Sequence, residues 1–215
     1  FTWAYFRPAA LIEIKGALDA KGSLTAWDFA SINPGGSGAG CPYDIPNVRI
    51  QSLRSSGPLR EGSYRCLGAT ANNFARECFM DELAAAAGTD PLAFRLACLK
   101  DPRLRAVLEE AAKRFDWKRR KADRRDNVGV GLACGTEKAS FVAACVEVAV
   151  DRKTGAIDVR HICEVFECGA VQNPVNLLKQ VKGGVIMGLG PALVEEVRFQ
   201  DGKIITDNFD NYAVP

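Results

Sequence analysis

Few residues in this chain could do chemistry, and their spacing narrows what that chemistry can be. There is one histidine, His161. It falls mid-strand in a strand-like stretch, and Cys163, two residues on, reads as a core thiol of the same strand. A packed or edge histidine is therefore favoured over a catalytic one, and a His-based triad or His-rich metal cluster is nearly excluded. The eight cysteines, Cys41, Cys66, Cys78, Cys98, Cys134, Cys145, Cys163 and Cys168, form no C-x-x-C pair. Cys78 and Cys98 fall on apolar helical faces, and Cys145 and Cys163 lie within strand patterns. That reads as reduced core thiols rather than a zinc or iron–sulfur site. The motifs G-x-x-x-x-G-K-[ST], H-E-x-x-H, G-x-S-x-G and the dinucleotide fingerprint are all absent. Residues 33–41 are glycine-rich, but no strand-to-helix junction frames them, so a flexible connector is expected over a phosphate cradle. Hard chemistry here must come from a bound group.

The elements that would position such a group follow from periodicity and turn chemistry. Thr2–Arg7 reads as strand-like. Residues 9–32 read as a β-hairpin turning at Asp19-Ala20-Lys21-Gly22, where Asp and Gly tolerate positive φ. Residues 43–54 read as extended, since Pro46 forbids a helix interior. A helical block follows. Phe74, Cys78, Phe79, Leu83 and Ala86 recur at helical spacing, Thr70 is a candidate cap and Gly88 a stop. Asp90-Pro91 and Asp101-Pro102 each start a further helix, with Asp at the N-cap and Pro at the first helical position. In the third helix Leu104, Val107, Leu108, Ala111 and Phe115 form one apolar stripe. Lys113–Arg125 is a basic run, read as a solvated helix end and linker rather than a nucleic-acid patch.

Beyond residue 127 the period becomes strand-like. Val146, Val148 and Val150 alternate with Cys145, Glu147 and Ala149, giving one buried face. A turn over 151–155 leads to a strand with Ile157, Val159 and His161 expected on one face. Asn173-Pro174 starts a helix carrying Leu177, Leu178, Val181, Val185 and Leu189. Its glycines, Gly183, Gly184, Gly188 and Gly190, cost about 1 kcal/mol each against Ala. That density calls for close approach of another backbone or a ligand. A last hairpin turns at Asp201-Gly202. The chain divides as a β-rich segment over 1–66 with the Gly-rich loop, a helical block and basic linker over 67–126, and a hairpin, Gly-rich helix and terminal hairpin over 127–215. The fold class is α+β, with β-hairpins and mixed sheet flanking a helical block. With 215 residues, 47% hydrophobic and 25% charged, and a net charge of +2, the composition is that of a globular chain. It gives no charge argument for a nucleic-acid partner, and no apolar run approaches the ~18 residues of a membrane span.

Several of these segments coincide with one family. Tyr43-Asp44-Ile45-Pro46-Asn47-Val48-Arg49 resembles the Y-x-I-P-N-x-R segment of molybdenum hydroxylase large subunits, the xanthine dehydrogenase and aldehyde oxidase family. Tyr64-Arg65-Cys66-Leu67-Gly68 stands where that family has an aromatic-R-G-x-G loop leading into a helix with an early Glu, here Glu77. Glu82-Leu83-Ala84 and Asp90–Arg95 resemble its following helices. Glu167-Cys168-Gly169, Asn173-Pro174 and Gln180-Val181-Lys182-Gly183-Gly184 resemble its D-x-G, N-P and Q-V-x-G-G track. Asp207–Tyr212 looks like the N-F-x-x-Y of the isoquinoline oxidoreductase β-subunit type.

The resemblance implies that all three segments belong to one larger, incomplete molybdopterin-binding domain. Electrons would leave through [2Fe–2S] clusters on a partner subunit or domain. The reaction class would be hydroxylation of an aldehyde or N-heteroaromatic carbon with oxygen from water and a Glu as base. By the same resemblance Gln180 contacts the cofactor, Gly183 and Gly184 let the backbone come close, and Arg65 and Gly68 lie in the cofactor-side loop. Leu67 faces the substrate; a Leu cannot stack a purine as an aromatic does, which argues against xanthine. Cys66 replaces the family's Gly. The family's catalytic Glu is expected beyond Pro215, and the chain is read as cut from a longer one, inactive alone and not retaining the cofactor. The alternative is a scaffold or subunit-interaction module of the same fold. Cysteine usage favours the cytoplasm, with a periplasmic setting left open.

Overall fold

The computed structural model describes residues 4–56, 60–123 and 125–215. They form two compact units, a larger one over Phe6–Glu167 and a smaller one built mainly from Cys168–Pro215. The fold class is α+β, as the sequence patterns indicate.

The larger unit opens with the hairpin of β1 (Leu11–Leu18) and β2 (Leu24–Ile32). Asp19 Oδ1 accepts from the Lys21 and Ser23 N–H groups at 2.8 and 2.9 Å, and Gly22 supplies φ +80°. The extended stretch becomes β3 (Asn47–Leu53), which pairs parallel to β2 and makes the first sheet mixed. Of the expected strand over Thr2–Arg7, residues 2 and 3 lie outside the described residues, and Phe6 makes an isolated bridge to Glu61.

Helix α1 (Ala69–Ala86) packs on this sheet. Its buried face differs from the expected apolar stripe. Phe74 is 72% exposed, and Cys78 and Ala86 are exposed too. Of that stripe Leu83 is buried and Phe79 packs against the core; the other buried residues are Ala69, Asn72, Arg76, Glu77, Met80 and Ala84. Three polar groups lie inside because each finds partners from distant segments. Thr70 is not the cap: Gly68 is, without a side-chain bond. A Cβ at Gly68 would stand 2.6 Å from both the Pro34 and Gly35 carbonyl oxygens, so only glycine fits there. At the other end Thr89 N–H bonds Ala84 O and Gly88 N–H bonds Ala85 O, the paired bonds of a Schellman stop.

Helices α2 (Pro91–Cys98) and α3 (Pro102–Phe115) start at Asp90 and Asp101, whose carboxylates each accept two backbone N–H bonds. The α3 stripe Leu104, Val107, Leu108, Ala111 and Phe115 is buried as expected. The basic run holds a short helix, α4 (Trp117–Lys121), rather than a linker. Trp117 is buried and donates its indole N–H to Asp90. Arg114, Arg119, Arg120, Lys121 and Arg125 pair with Glu110, Asp116, Glu147, Asp90 and Asp123. Arg124 lies outside the described residues.

Strands β4 (Val128–Glu137), β5 (Ser140–Val150) and β6 (Ile157–Glu167) form an antiparallel meander. Phe141, Ala143, Cys145, Glu147 and Ala149 make its buried face, on which α3 packs. Glu147 pairs with His161 but Val148 pairs with Val159, so Arg160 is an extra, bulged residue. A bulge shifts the alternation by one. His161 therefore faces α3, stacked on Phe115 with ring centroids 5.6 Å apart, while Ile157 and Val159 lie on the opposite face. The expectation of all three on one face fails for this reason; His161 is exposed on the edge strand β6, with one ring face on Phe115, the edge alternative of the reading. All eight cysteines are free thiols, but Cys66 and Cys78 are exposed rather than core.

In the smaller unit, α5 (Pro174–Leu193) starts at Asn173, whose side chain accepts from Asn176 N–H. The hairpin of β7 (Phe199–Gln200) and β8 (Lys203–Ile204) turns at Asp201 and Gly202 with positive φ at both. No helix among the described residues is long and apolar enough to cross a membrane.

Candidate functional site

A buried carboxylate organises the larger unit. Glu77 accepts from Arg76 Nε at 3.0 Å, Arg95 Nε at 3.0 Å, the Tyr43 hydroxyl at 3.0 Å and the Cys134 N–H at 3.2 Å. Arg95 also donates to Asp81 Oδ1 at 2.6 Å and to the Glu77 carbonyl at 2.8 Å. Burial, with the Glu77 charge beside it, pushes the Tyr43 hydroxyl well above its ordinary pKa. Burial lifts the Cys134 thiol to about 12. The donors of Arg76, Arg95 and Tyr43 are spent on holding separate elements to one carboxylate, so the cluster reads as a brace.

The brace fixes the Gly-rich loop. Asn72 Nδ2 donates to the Gly35 and Ser37 carbonyls at 2.9 and 2.8 Å, and Arg76 Nη1 donates to the Gly38 and Gly40 carbonyls at 3.1 and 3.2 Å. Ser31 Oγ donates to Asn72 Oδ1 at 2.7 Å. Residues 33–41 are thus clamped rather than a free connector. The helix presents its polar face to them, which supplies the donors that an irregular, glycine-rich backbone needs.

Against this platform stands the loop over 64–68. Leu67 N–H bonds Tyr64 O at 2.8 Å and Ala69 N–H bonds Cys66 O at 3.0 Å. Cys66 and Leu67 both have positive φ, 68° and 51°. For residues with a Cβ this costs about 1–2 kcal/mol each. At position 66 the φ of 68° is one that glycine adopts without a Cβ penalty. Arg7, 60 residues away, lies against the loop. Its Nη1 donates to Leu67 O at 2.9 Å and to Thr70 Oγ1 at 3.1 Å, and its guanidinium lies 4.6 Å from the Tyr64 ring centroid. Sequence reasoning missed Arg7, because a single Arg in a short extended stretch has no periodic signature.

Arg65 and Leu67 are exposed, Leu67 at 51%, and Gly68 is buried beneath them. Leu67 separates two clefts. One, of about 410 Å³, is lined by Ser37, Cys66, Leu67, Thr70, Asn73 and Lys138. The other, of about 290 Å³, is lined by Arg7, Pro34, Glu61, Tyr64 and Leu67, among others. Asn73 Oδ1 is buried without a hydrogen-bond partner among the described residues. An amide oxygen in that condition calls for an N–H donor.

Gln180, Gly183 and Gly184 belong to the smaller unit, on one face of α5 at the i, i+3 and i+4 positions. Gln180 is exposed. No described atom stands within 4 Å of where a Cβ would sit on Gly183, Gly184 or Gly188, so the helix face beside Gln180 is open. Of the two expectations raised by the glycine density, another backbone or a ligand, no backbone of the smaller unit stands against these three glycines. Gly190 differs: a Cβ on it would overlap the Glu195 carboxylate, which accepts from the Tyr212 hydroxyl at 2.8 Å.

Comparison with known proteins gives the following. Residues 1–99 and residues 136–215 match two models that share the description molybdopterin cofactor-binding domain. The chain is 28% identical to a nicotinate dehydrogenase subunit of Pseudomonas putida over 99% of its own length and 21% of that protein. It is 34% identical to the β-subunit of isoquinoline 1-oxidoreductase of Brevundimonas diminuta over 80% of its own length and 22% of that protein. The crystal structure of quinoline 2-oxidoreductase from Pseudomonas putida 86 superimposes with a TM-score of 0.80 at 14% identity, over 95% of this chain and 53% of that one, a likeness of fold. The chain spans about a fifth of the length of these two curated relatives.

Proposed function

Because the chain belongs to the molybdopterin-binding large-subunit family of xanthine dehydrogenases and aldehyde oxidases, we propose that it supplies part of the cofactor-holding wall of a molybdenum hydroxylase. The observation that carries the reading furthest is where its two candidate contact groups lie. The first matched stretch contains Arg65, Leu67 and Gly68, and the second contains Gln180, Gly183 and Gly184. The residues fit such a group. Arg65 is an exposed, permanently charged fork suited to an anionic dithiolene phosphate. The unpartnered Asn73 oxygen suits a pterin N–H. The open glycine face beside Gln180 leaves space for a bulky ligand, and the Gln180 amide offers donors and an acceptor together.

When bound, the molybdenum cofactor supplies hydroxylation of an aldehyde or N-heteroaromatic carbon with oxygen taken from water. This chain's own residues bind and orient. On the larger unit Arg65 would contact the cofactor, Gly68 lets the loop sit tight on the platform, and Leu67 would line the substrate side; on the smaller unit, taken by itself, Gln180 is the proposed cofactor contact. Leu67 offers an apolar edge rather than a stacking face, which argues against xanthine as the substrate. The base and the iron–sulfur electron acceptor belong to the remainder of the subunit and to a partner. The chain alone therefore binds the cofactor weakly and does not turn over.

The test is a titration of the chain with molybdopterin released from a purified molybdenum hydroxylase, followed by pterin fluorescence. Weak binding is expected, with Kd at roughly 10 µM or above. Arg65→Ala and Gln180→Ala are each expected to weaken it about tenfold, the worth of ~1.4 kcal/mol. Binding that both variants leave untouched refutes the assignment. Stoichiometric molybdenum in the chain purified from a cofactor-making host refutes the need for the remainder.

A further inference from the structure

We propose that Arg7 is the positioning residue of the 64–68 loop, holding Arg65 and Leu67 in their presented conformation from behind. The loop adopts two successive left-handed residues that are not glycine, Cys66 and Leu67, a backbone state compatible with its two turn bonds but costly for residues that carry a Cβ. It also has room to relax, since Leu67 stands between clefts of about 410 and 290 Å³. Something must tie it down. Arg7 does so at three points with one planar group: the Leu67 carbonyl at 2.9 Å, the Thr70 hydroxyl at 3.1 Å, and the face of Tyr64 at 4.6 Å. These points lie at the start, the left-handed centre and the helical exit of the loop. A guanidinium can bond in its plane and stack with its face at the same time, which an ammonium cannot.

Arg7 is itself delivered by backbone pairing. Phe6 N–H bonds Arg60 O at 2.9 Å and Gly62 N–H bonds Phe6 O at 3.1 Å, which sets the residue after Phe6 beside the loop. Glu61, in the same cleft, accepts from Asn33 Nδ2 at 3.0 Å. The locking is local and needs no cofactor. Its consequence for ligand binding rests on the function proposed above.

The experiment is hydrogen exchange on the full chain, comparing Arg7→Ala with the parent. Exchange at the Leu67 and Ala69 amides is expected to rise about tenfold, while the Phe94 amide, bonded to Asp90 at 2.8 Å and remote in sequence, is unchanged. Arg7→Lys, which keeps the charge and a donor but not the stacking plane, is expected to fall between the two. Equal exchange at Leu67 and Ala69 in Arg7→Ala and the parent overturns the proposal, as does full rescue by lysine. If Arg7→Ala does not fold, Thr70→Val and Tyr64→Leu each remove one tether and are read the same way; no acceleration in either overturns it. A loosened loop with unchanged pterin binding sinks the cofactor reading and leaves Arg7's role standing. An unchanged loop with intact pterin binding does the reverse.

Discussion

Replacing Glu77 by Gln tests whether the buried brace holds the larger unit together. The carboxylate receives two arginine Nε–H bonds at 3.0 Å each, the Tyr43 hydroxyl and the Cys134 N–H. All three ionised side chains in the Arg76–Glu77–Arg95 cluster are nearly inaccessible, at 3%, 7% and 0%. Gln keeps the shape but offers one accepting oxygen. It also turns an NH2 toward groups that themselves donate, so at least one buried donor is orphaned. Breaking a buried pair by removing one partner costs about 3–5 kcal/mol, most of it the stranded charge. At about 2–4 °C per kcal/mol for a unit of this size, the melting temperature should fall roughly 6–20 °C. The assay is urea and thermal unfolding by circular dichroism at pH 7. Combining Glu77→Gln with Arg95→Met should cost less than the sum of the two, because the pair removes the stranded charge together with its partner. A loss below about 1 kcal/mol in Glu77→Gln, or strict additivity in the double variant, refutes the reasoning.

Cys66→Gly should stabilise the chain by about 1 kcal/mol, since φ is +68° there and glycine adopts that region without a Cβ penalty; destabilisation in urea would count against the strain argument. Cys134 and Cys145 are both pushed up to about 12 by burial, from an ordinary 9.0. Raised folded values mean the native state keeps protons that the unfolded state gives up, so their contribution is intact below about pH 9 and is lost as pH rises toward 12. By pH 10.5 each thiol should cost about 2 kcal/mol. Cys145→Ala should remove about half of that slope, and equal urea midpoints at pH 8 and 10.5 would contradict it. Gly190→Ala should cost the smaller unit at most about 1 kcal/mol, because the overlapping Glu195 carboxylate is the flexible end of its side chain and swings aside, giving up its bond to Tyr212. Adding Glu195→Ala should recover part of the loss, and full additivity would show that the overlap is not the cause.

What the sequence made legible was local. Asp90, Asp101 and Asn173 announce their helices because a cap needs only the next three residues. The α3 stripe is readable because its apolar residues meet apolar neighbours. What stayed hidden depends on distant partners. Phe74 and Cys78 have helical spacing yet face outward, while Asn72, Arg76 and Glu77 are buried by bonds to residues 35–40 and 134. One bulged residue, Arg160, moves His161 to the other face of its sheet, and no alternation pattern marks where an extra residue will fall. The 64–68 loop was readable only through its resemblance to a family. Arg7 was not readable at all.

These hidden features share one cause, which bears on the site. The loops over 33–41 and 64–68 have little regular structure, so their backbone polar groups cannot be satisfied from within. Helix α1 solves this by burying donors where an ordinary amphipathic helix buries Leu: Asn72 and Arg76 take four carbonyls of the first loop. Gly68 then lets the second loop press onto the Pro34 and Gly35 carbonyls, and Gly38 comes equally close to Ala69, where a Cβ would stand 2.8 Å from its Cα. Both loops are thus attached to one helix, one through its polar face and the other through its first turn. A change at Glu77, which aligns Arg76, should reach Leu67 through that shared helix although the two are not bonded. A change at Arg7 should leave the platform over 33–41 undisturbed, because its tethers all lie on the second loop and the helix start. Exchange at the Ala39 amide, bonded to Gly36 at 3.1 Å, separates the two routes: it should quicken in Glu77→Gln and stay unchanged in Arg7→Ala.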